Sequence, residues 1–368
     1  MSSSNYKHMP VLDGLRAFAI IFVLLRHGFI LINGYDYDSL PYSLESFMIN
    51  GLVGVDLFFV LSGFLIVHQL LNKYKLLSDC LGFYKNRFLR IAPAYYAVLI
   101  LTIVGFFPFY QFNSDDFEYS FFYHLLWMQD ITSSDIAVTF WSLGVEIKYY
   151  LIAPFIIYLS TKLRTSFSII LLCVFIFIIV LGRYYHSVEF NYSYNDYFLN
   201  LRSPFYHSLD GLIMGAICAL LYNNKKCKEL FDKTILRHVF FVFGFIIVFL
   251  YMGAGNHYID MNYYQITFYP LIISLGFSLC LLGLVNNSFL SNLFSLKLFF
   301  PIALISYSLY LVHWQVRPLA FHLSEILGIG GNSDFWIMYL LLSLIVALGV
   351  YFLFERPFLS YKRKLNKE

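Results

Sequence analysis

Hydrophobic residues are grouped along this chain into ten long apolar segments, separated by short polar stretches. Each segment holds about 16–22 residues, and an α-helix needs roughly 20 mainly apolar residues to cross about 30 Å of hydrocarbon. The pattern therefore predicts an all-α, polytopic integral membrane protein with about ten transmembrane helices. The predicted segments are 12–33, 51–71, 88–108, 141–160, 167–182, 204–222, 236–253, 266–285, 299–316 and 334–354.

Basic residues are divided unequally between the loops that join these segments. One set of alternate loops, together with the chain ends, carries 19 of the 25 lysines and arginines. The opposite set carries only Arg183, Arg202 and Arg317, and two of its loops are acidic. Because cytoplasmic loops are enriched in Lys and Arg, both termini are expected in the cytoplasm. An even number of spans requires the same arrangement.

Composition excludes an ordinary soluble enzyme. The 368-residue chain is 60% hydrophobic and 13% charged, whereas soluble domains carry about 25% charged residues. The net charge of +3 is small, and no nucleic-acid partner is expected. The five cysteines form no CxxC or Cys/His cluster, so buried thiols are favoured over a metal site. The first apolar segment lacks a convincing signal-peptidase site and is expected to remain as a helix.

The first apolar segment carries charged residues at bilayer depth, where they are costly and mark function by default. Arg16 and His27 are 11 residues apart, so they share a helix face about 16 Å apart along the axis. Asp13 lies on the same face, and Arg26 points about 100° away from His27. A histidine that merely packs against a neighbouring helix is the alternative for His27. The stripe as a whole favours a functional role.

The second and third segments add further candidates. Asp56 is expected to face a cation or a substrate hydroxyl, while nearby glycines favour close helix packing. Arg87 and Arg90 lie one helical turn apart and form a fork suited to phosphate, although a positive-inside anchor is the alternative.

Later segments carry polar groups in the outer half of the membrane. Glu146 cannot pair with Lys148 on its own helix, because the two lie about 200° apart, so it should face the bundle interior. The remaining outer candidates, taken as substrate-binding residues, are His207, Asp210, Tyr310 and His313. An acid–base cluster in the outer half and a cationic site at the inner face predict one polar passage between the two compartments.

These residues lie in sequence motifs that resemble the acyltransferase-3 family of integral membrane proteins. The resemblance extends from about residue 10 to 358, and six motifs occur in the family's order. They are LDGLRAFAIIFVLLRH, GVDLFFVLSGFLI, NRFLRIAP, WSLGVE, ISYSLYLVHW and FERP.

The resemblance implies a ten-helix core that transfers an acyl group, usually from cytoplasmic acetyl-CoA, to a hydroxyl of an envelope glycan. The family's Arg-x10-His pair falls on Arg16 and His27, and its paired arginines fall on Arg87 and Arg90. With Asp13, these arginines are expected to bind coenzyme A. His27 is expected to act as general base with help from Glu146 or Asp56, although a covalent acyl-histidine relay is equally open.

The resemblance also sets expectations for the whole chain. One transmembrane domain is expected over 1–368, in a bacterial inner membrane, with a glycan or lipid-linked saccharide as acceptor. The chain ends 11 residues after Pro357, so no fused soluble domain is expected.

A transporter or flippase is the alternative, but it predicts an inverted repeat that the sequence does not show. A structural subunit of an envelope-synthesis complex is another. Oligomeric state, acceptor sugar and acyl chain are left open.

Overall fold

Helices are the only regular secondary structure in the residues that the computed structural model describes. These residues are 8–33, 42–73, 80–112, 115–131, 136–189, 194–231, 233–253, 263–285, 289–327 and 332–365, and they contain no β-strand. The first eight helices are α1 Pro10–Asn33, α2 Tyr42–Ile49, α3 Val53–Lys73, α4 Cys80–Ile103, α5 Phe117–Leu125, α6 Trp141–Lys162, α7 Thr165–Glu189 and α8 Tyr194–Tyr197. The others are α9 Asp210–Asn223, α10 Lys225–Phe231, α11 Thr234–Gly253, α12 Tyr263–Leu284, α13 Phe289–Phe294, α14 Phe299–Val312, α15 Arg317–Ile326, α16 Asn332–Val350 and α17 Arg356–Leu365.

The ten predicted apolar segments each overlap one α-helix, namely α1, α3, α4, α6, α7, α9, α11, α12, α14 and α16. In the described part of the chain, six helical stretches are long and apolar enough to cross a membrane, or seven if α14 and α15 form one bent span. Helices α1 and α4 have 24 residues each and are about 36 Å long. An all-helical fold with several candidate membrane spans is therefore confirmed for the described residues, whereas ten spans and cytoplasmic termini remain predictions.

Helix α3 lies at the centre of the bundle. The stretch Ser46–Asn72 comprises the end of α2 and nearly all of α3, and its 18-residue apolar part is 89% buried, whereas the corresponding parts of α7 and α11 are 28% and 22% buried. The exposed residues of α7 and α11 are mainly Phe, Ile, Leu and Val. Helix α3 packs most extensively against α9, and α1 packs against both α3 and α14. This arrangement surrounds the polar face of α3 with other helices and leaves apolar faces outside, as expected in lipid.

Glycines bring α3 close to its neighbours. A methyl group on Gly63 would overlap the carbonyl oxygen of Leu212 in α9, and one on Gly215 would overlap that of Val60 in α3. Gly54 makes the same kind of approach to Ala19 in α1. The prediction that the glycines of the second segment serve close packing is confirmed.

A break between α14 and α15 changes the course of the predicted segment 299–316. Helix α14 ends at Val312, and α15 begins at Arg317 with its axis turned by 87°. Pro318 lies in the first turn of α15, where its missing N–H costs no helical hydrogen bond. The break places His313 and Trp314 beside α1, where both contact His27.

Candidate active site

A cavity inside the bundle is lined by residues of α1, α3, α4, α6 and α14. Its polar lining residues are Arg16, Ser62, Arg87, Arg90, Ser142, Glu146, Tyr150, Ser306, Tyr307 and Tyr310. Arg16, Arg87 and Arg90, which were predicted from the sequence to bind the acyl donor, therefore line the same cavity as Glu146 and Tyr310. These residues come from four helices that are far apart in sequence.

The arginines give the cavity a cationic wall. Arg87 is buried, and its Nη2 donates a hydrogen bond of 2.6 Å to Oε1 of Gln69. Its guanidinium also lies over the rings of Phe83 and Tyr150, at 5.4 Å from each centroid. These contacts fix the guanidinium in one orientation, and its planar donors suit phosphate oxygens.

Asp13 is a neighbour of this wall and does not line the cavity. Its Oδ1 is 3.9 Å from Nη1 of Arg16, and its Oδ2 is 2.9 Å from Nε2 of His8. Asp13 is therefore placed to orient Arg16. Its predicted direct contact with coenzyme A remains a prediction.

Glu146 is held by hydroxyl groups. Its Oε1 accepts hydrogen bonds from Ser62 Oγ, at 2.6 Å, and from the Tyr150 hydroxyl. Among the described residues, Oε2 accepts no hydrogen bond. This carboxylate oxygen is available to a ligand in the cavity.

His27 and His313 form a hydrogen-bonded pair, and neither residue lines the cavity. His27 Nδ1 and His313 Nε2 are 2.8 Å apart, and Nδ1 of His313 is 2.7 Å from the carbonyl oxygen of Tyr310. The ring of Trp314 meets His27 edge-on at a centroid distance of 4.9 Å. Tyr310, whose side chain lines the cavity, accepts a hydrogen bond from Ser142 Oγ and donates one of 2.6 Å to the Thr139 carbonyl. Tyr310 thus links the histidine pair to the cavity wall.

Asp56 is engaged in a buried ion pair. Both of its oxygens are 3.0 Å from Nη2 of Arg202, whose guanidinium lies over the ring of Trp141. Asp56 therefore pairs with a cation, which was one of the two partners expected for it. The structure shows no hydrogen bond from Asp56 to His27 or Glu146, so its catalytic role remains a prediction.

His207 and Asp210 belong to a separate cluster around Arg183. The fully buried Arg183 guanidinium donates to both carboxylate oxygens of Asp210 and to the carbonyl oxygens of His207 and Thr267. Neither residue lines the cavity. The cluster joins α7, α9 and α12, which gives these residues a packing function. Their predicted contact with substrate is untested.

Two charged residues without an assigned role also have partners in the bundle. Arg26 donates from Nη1 to the carbonyl oxygen of Ile49 and so ties α1 to α2. Lys148 donates to Asp130 Oδ1 and, at 2.9 Å, to the Trp127 carbonyl. Burial raises the pKa of the Asp130 carboxyl, and the Lys148 ammonium opposes this effect. Both residues are anchors between elements.

Sequence reasoning missed the residues that complete these clusters. They are Ser62, Asp130, Tyr150, Arg183 and Arg202. Two features of the sequence pointed to them. Asp56 and Asp210 are carboxylates within membrane segments and require cations, and three arginines occur in the loops that otherwise lack basic residues. The sequence did not show which arginine pairs with which carboxylate.

This chain belongs to the acyltransferase-3 family, because the family's model, described as an acyltransferase domain, matches residues 9–354. It is therefore an acyltransferase by family, as the motifs predicted. YrhL of Bacillus subtilis (strain 168), provisionally named a peptidoglycan O-acetyltransferase, is 26% identical over 99% of this chain and 57% of its own length. The O-acetyltransferase OatA of Staphylococcus aureus (strain NCTC 8325 / PS 47) is 26% identical over 84% of this chain and 51% of its own. The chain thus spans about half the length of these relatives. No solved structure matches it.

Proposed function

We propose that this protein is a bacterial inner-membrane O-acyltransferase that moves an acetyl group from cytoplasmic acetyl-CoA to a hydroxyl of a cell-envelope glycan. The observation that carries the proposal is the cavity, in which Arg16, Arg87 and Arg90 meet Glu146. Tyr310 also lines the cavity, and its backbone carbonyl is hydrogen-bonded to His313, the partner of His27. The family supports acyl transfer in general. The choice of donor and acceptor belongs to the proposal.

The three arginines of the cavity are proposed to bind the acyl donor, acetyl-CoA. Coenzyme A carries several phosphate oxygens, and three guanidinium groups in one cavity offer bidentate, charge-assisted hydrogen bonds to them. The pantetheine arm then extends along α1 towards His27, about 16 Å further along the helix axis. The thioester would be delivered to the part of the cavity that Tyr310 and Glu146 line.

His27 is assigned to the chemical step as a general base. It removes the proton of the acceptor hydroxyl while the oxygen attacks the thioester carbonyl. The resulting tetrahedral species collapses, the carbon–sulfur bond breaks, and the coenzyme A sulfur takes the proton from the imidazolium. An ester and free coenzyme A are formed. Glu146 Oε2, which accepts no hydrogen bond from the described residues, would accept one from the acceptor sugar.

Peptidoglycan is the first acceptor to examine, because the name of YrhL states that acceptor. A lipopolysaccharide O-antigen or an exopolysaccharide carries the same kind of hydroxyl group. A transporter or flippase is the less favoured alternative, since membership of an acyltransferase family speaks for group transfer.

The acceptor is tested in a deletion strain of the source bacterium that carries the wild-type protein or His27→Ala at equal abundance. Base-labile acetate is measured separately in purified peptidoglycan and in surface polysaccharide. Acetate that appears with the wild type and is lost with His27→Ala supports the proposal and identifies the glycan. Unchanged acetate in both fractions after the deletion excludes an envelope-glycan acceptor in that host.

A further inference from the structure

The side chains of His27 and His313 are joined by one hydrogen bond. Their rings are nearly parallel, with an interplanar angle of 23° and a centroid distance of 4.9 Å. At 2.8 Å between His27 Nδ1 and His313 Nε2, one nitrogen must donate and the other must accept. The direction of this hydrogen bond decides which nitrogen of His27 carries a lone pair.

The backbone of α14 settles that direction. Nδ1 of His313 is 2.7 Å from the carbonyl oxygen of Tyr310, and a carbonyl oxygen only accepts hydrogen bonds. Nδ1 of His313 therefore carries hydrogen, and in the neutral ring Nε2 is an acceptor. It follows that His27 donates from Nδ1 and has an unprotonated Nε2.

A positively charged His313 would reverse the hydrogen bond, but its surroundings disfavour that state. The His313 side chain is 0% exposed, and a buried cation is costly unless a carboxylate neutralises it. In the part of the chain that the structure describes, no carboxylate forms an ion pair or hydrogen bond with either ring. The neutral arrangement is the one that the geometry supports.

We infer that His313 is a positioning residue, which holds His27 in the tautomer whose Nε2 accepts the proton of the acceptor hydroxyl. The inference rests on the proposed function and refines it, because it names the reacting atom. It also replaces the expectation that His313 binds substrate. During the reaction the proton passes from the acceptor oxygen to His27 Nε2. The hydrogen on Nδ1 stays in place and makes a stronger, charge-assisted bond to His313.

The first test compares His313→Leu with His313→Gln, using acetyl transfer by the full chain in nanodiscs. Leucine offers no acceptor to His27, so part of the protein should hold His27 in the inactive tautomer. The value of kcat should therefore fall, but by less than the roughly 100-fold contribution of the general base itself, while KM for both substrates stays unchanged. Glutamine carries an amide oxygen near the position of Nε2 and should restore part of the lost kcat. A raised KM for the acceptor at unchanged kcat, or full activity of His313→Leu, would overturn the inference.

The second test reads the tautomer directly and does not depend on activity. The full chain is labelled with ¹⁵N-histidine, and the His27 ring signals are identified by their loss in His27→Ala. The wild type should show a protonated Nδ1 and a bare Nε2, and His313→Leu should show a mixture of tautomers. A protonated Nε2 in the wild type refutes the inference and leaves the proposed function standing. Acetyl transfer by His27→Ala at the wild-type rate removes His27 from the chemical step whatever the tautomer, and absence of acetyl transfer by the wild type refutes the proposed function.

Discussion

Charged side chains within the helices of this protein have two kinds of surroundings. Arg16, Arg87 and Glu146 line the cavity and can reach a ligand. Asp56 and Asp210 are each neutralised by an arginine from another element. Because an unpaired charge is costly in hydrocarbon, the ion pairs of the second kind are sufficient to keep those carboxylates in the bundle. The ligand-binding role proposed above concerns the first kind.

Arg87 provides a direct test of the donor site. Arg87→Gln removes a charge that is held in place by Gln69 and two aromatic rings. A charge-assisted hydrogen bond contributes about 1.5–3 kcal/mol, so KM for acetyl-CoA should rise about tenfold or more, with a small effect on kcat. The exposed Arg164 supplies the matched control, Arg164→Gln, which should bind acetyl-CoA as the wild type does. Equal KM values for both variants would remove Arg87 from the donor site.

Lys148 is predicted to be structural. Lys148→Met leaves the buried Asp130 carboxylate without its cation, and breaking a buried pair in this way costs about 3–5 kcal/mol. The thermal midpoint of the purified protein should fall clearly. The double variant Lys148→Met/Asp130→Asn should regain part of the loss, because the uncompensated charge is gone. If the double variant is less stable than Lys148→Met, the pair does not explain the effect.

At the scale of single residues, the sequence predicted the polar residues that line the cavity but not the hydrogen-bond and ion-pair partners of the buried polar side chains. Arg16, Arg87, Arg90 and Glu146 were found because each lies in a local motif. The partners of His27 and Asp56 are 286 and 146 residues away. Helical periodicity relates only positions on one helix, so it could not show such pairs.

At the scale of elements, the close approach of α3 and α9 organises the site. Ser62 lies next to Gly63, and its hydroxyl donates a hydrogen bond to Glu146 in the lining of the cavity. A larger separation of α3 from α9 would move this hydroxyl. The glycine contacts therefore serve the active site as well as the stability of the bundle.

Gly63→Ala and Gly215→Ala should both destabilise the protein, because the added methyl group meets a backbone carbonyl that cannot move aside easily. Overpacking of this kind costs about 1–3 kcal/mol. Gly349→Ala in α16 is the control, since a methyl group there meets no atom within 4 Å. It should be neutral or stabilise by up to about 1 kcal/mol. Thermal unfolding followed in detergent distinguishes these cases, and equal midpoints for all three variants would contradict the packing account.

Hydrophobic patterns located the long helices but not the break after Val312. The segment 299–316 is apolar almost throughout, and its only local signal for an end is Pro318. A break within a membrane protein is tolerated where other helices surround it. Tertiary contacts, which the sequence does not display, turn the chain at His313.

For the whole molecule, the distribution of charge predicts the orientation. Residues 225–228 belong to the base-rich loops expected in the cytoplasm, and Asp115 and Asp116 belong to an acidic loop expected outside. This orientation would admit acetyl-CoA to the arginines from the cytoplasm.

Cysteine labelling tests this orientation after the five native cysteines are replaced by serine. A membrane-impermeant maleimide should label Asp116→Cys in intact spheroplasts. Lys226→Cys should react only after permeabilisation. The reverse pattern would place the donor site on the wrong side of the membrane for cytoplasmic acetyl-CoA.

The most direct measurement is transfer of radiolabelled acetyl from acetyl-CoA to envelope glycan in sealed membrane vesicles. Inside-out vesicles with the wild-type protein should form a base-labile labelled glycan. His27→Ala vesicles of equal protein content should form about 100-fold less or none, as should right-side-out vesicles with the wild type. Labelling by His27→Ala at the wild-type rate would contradict the account, because the acetyl group would then reach the glycan without the histidine assigned to the transfer.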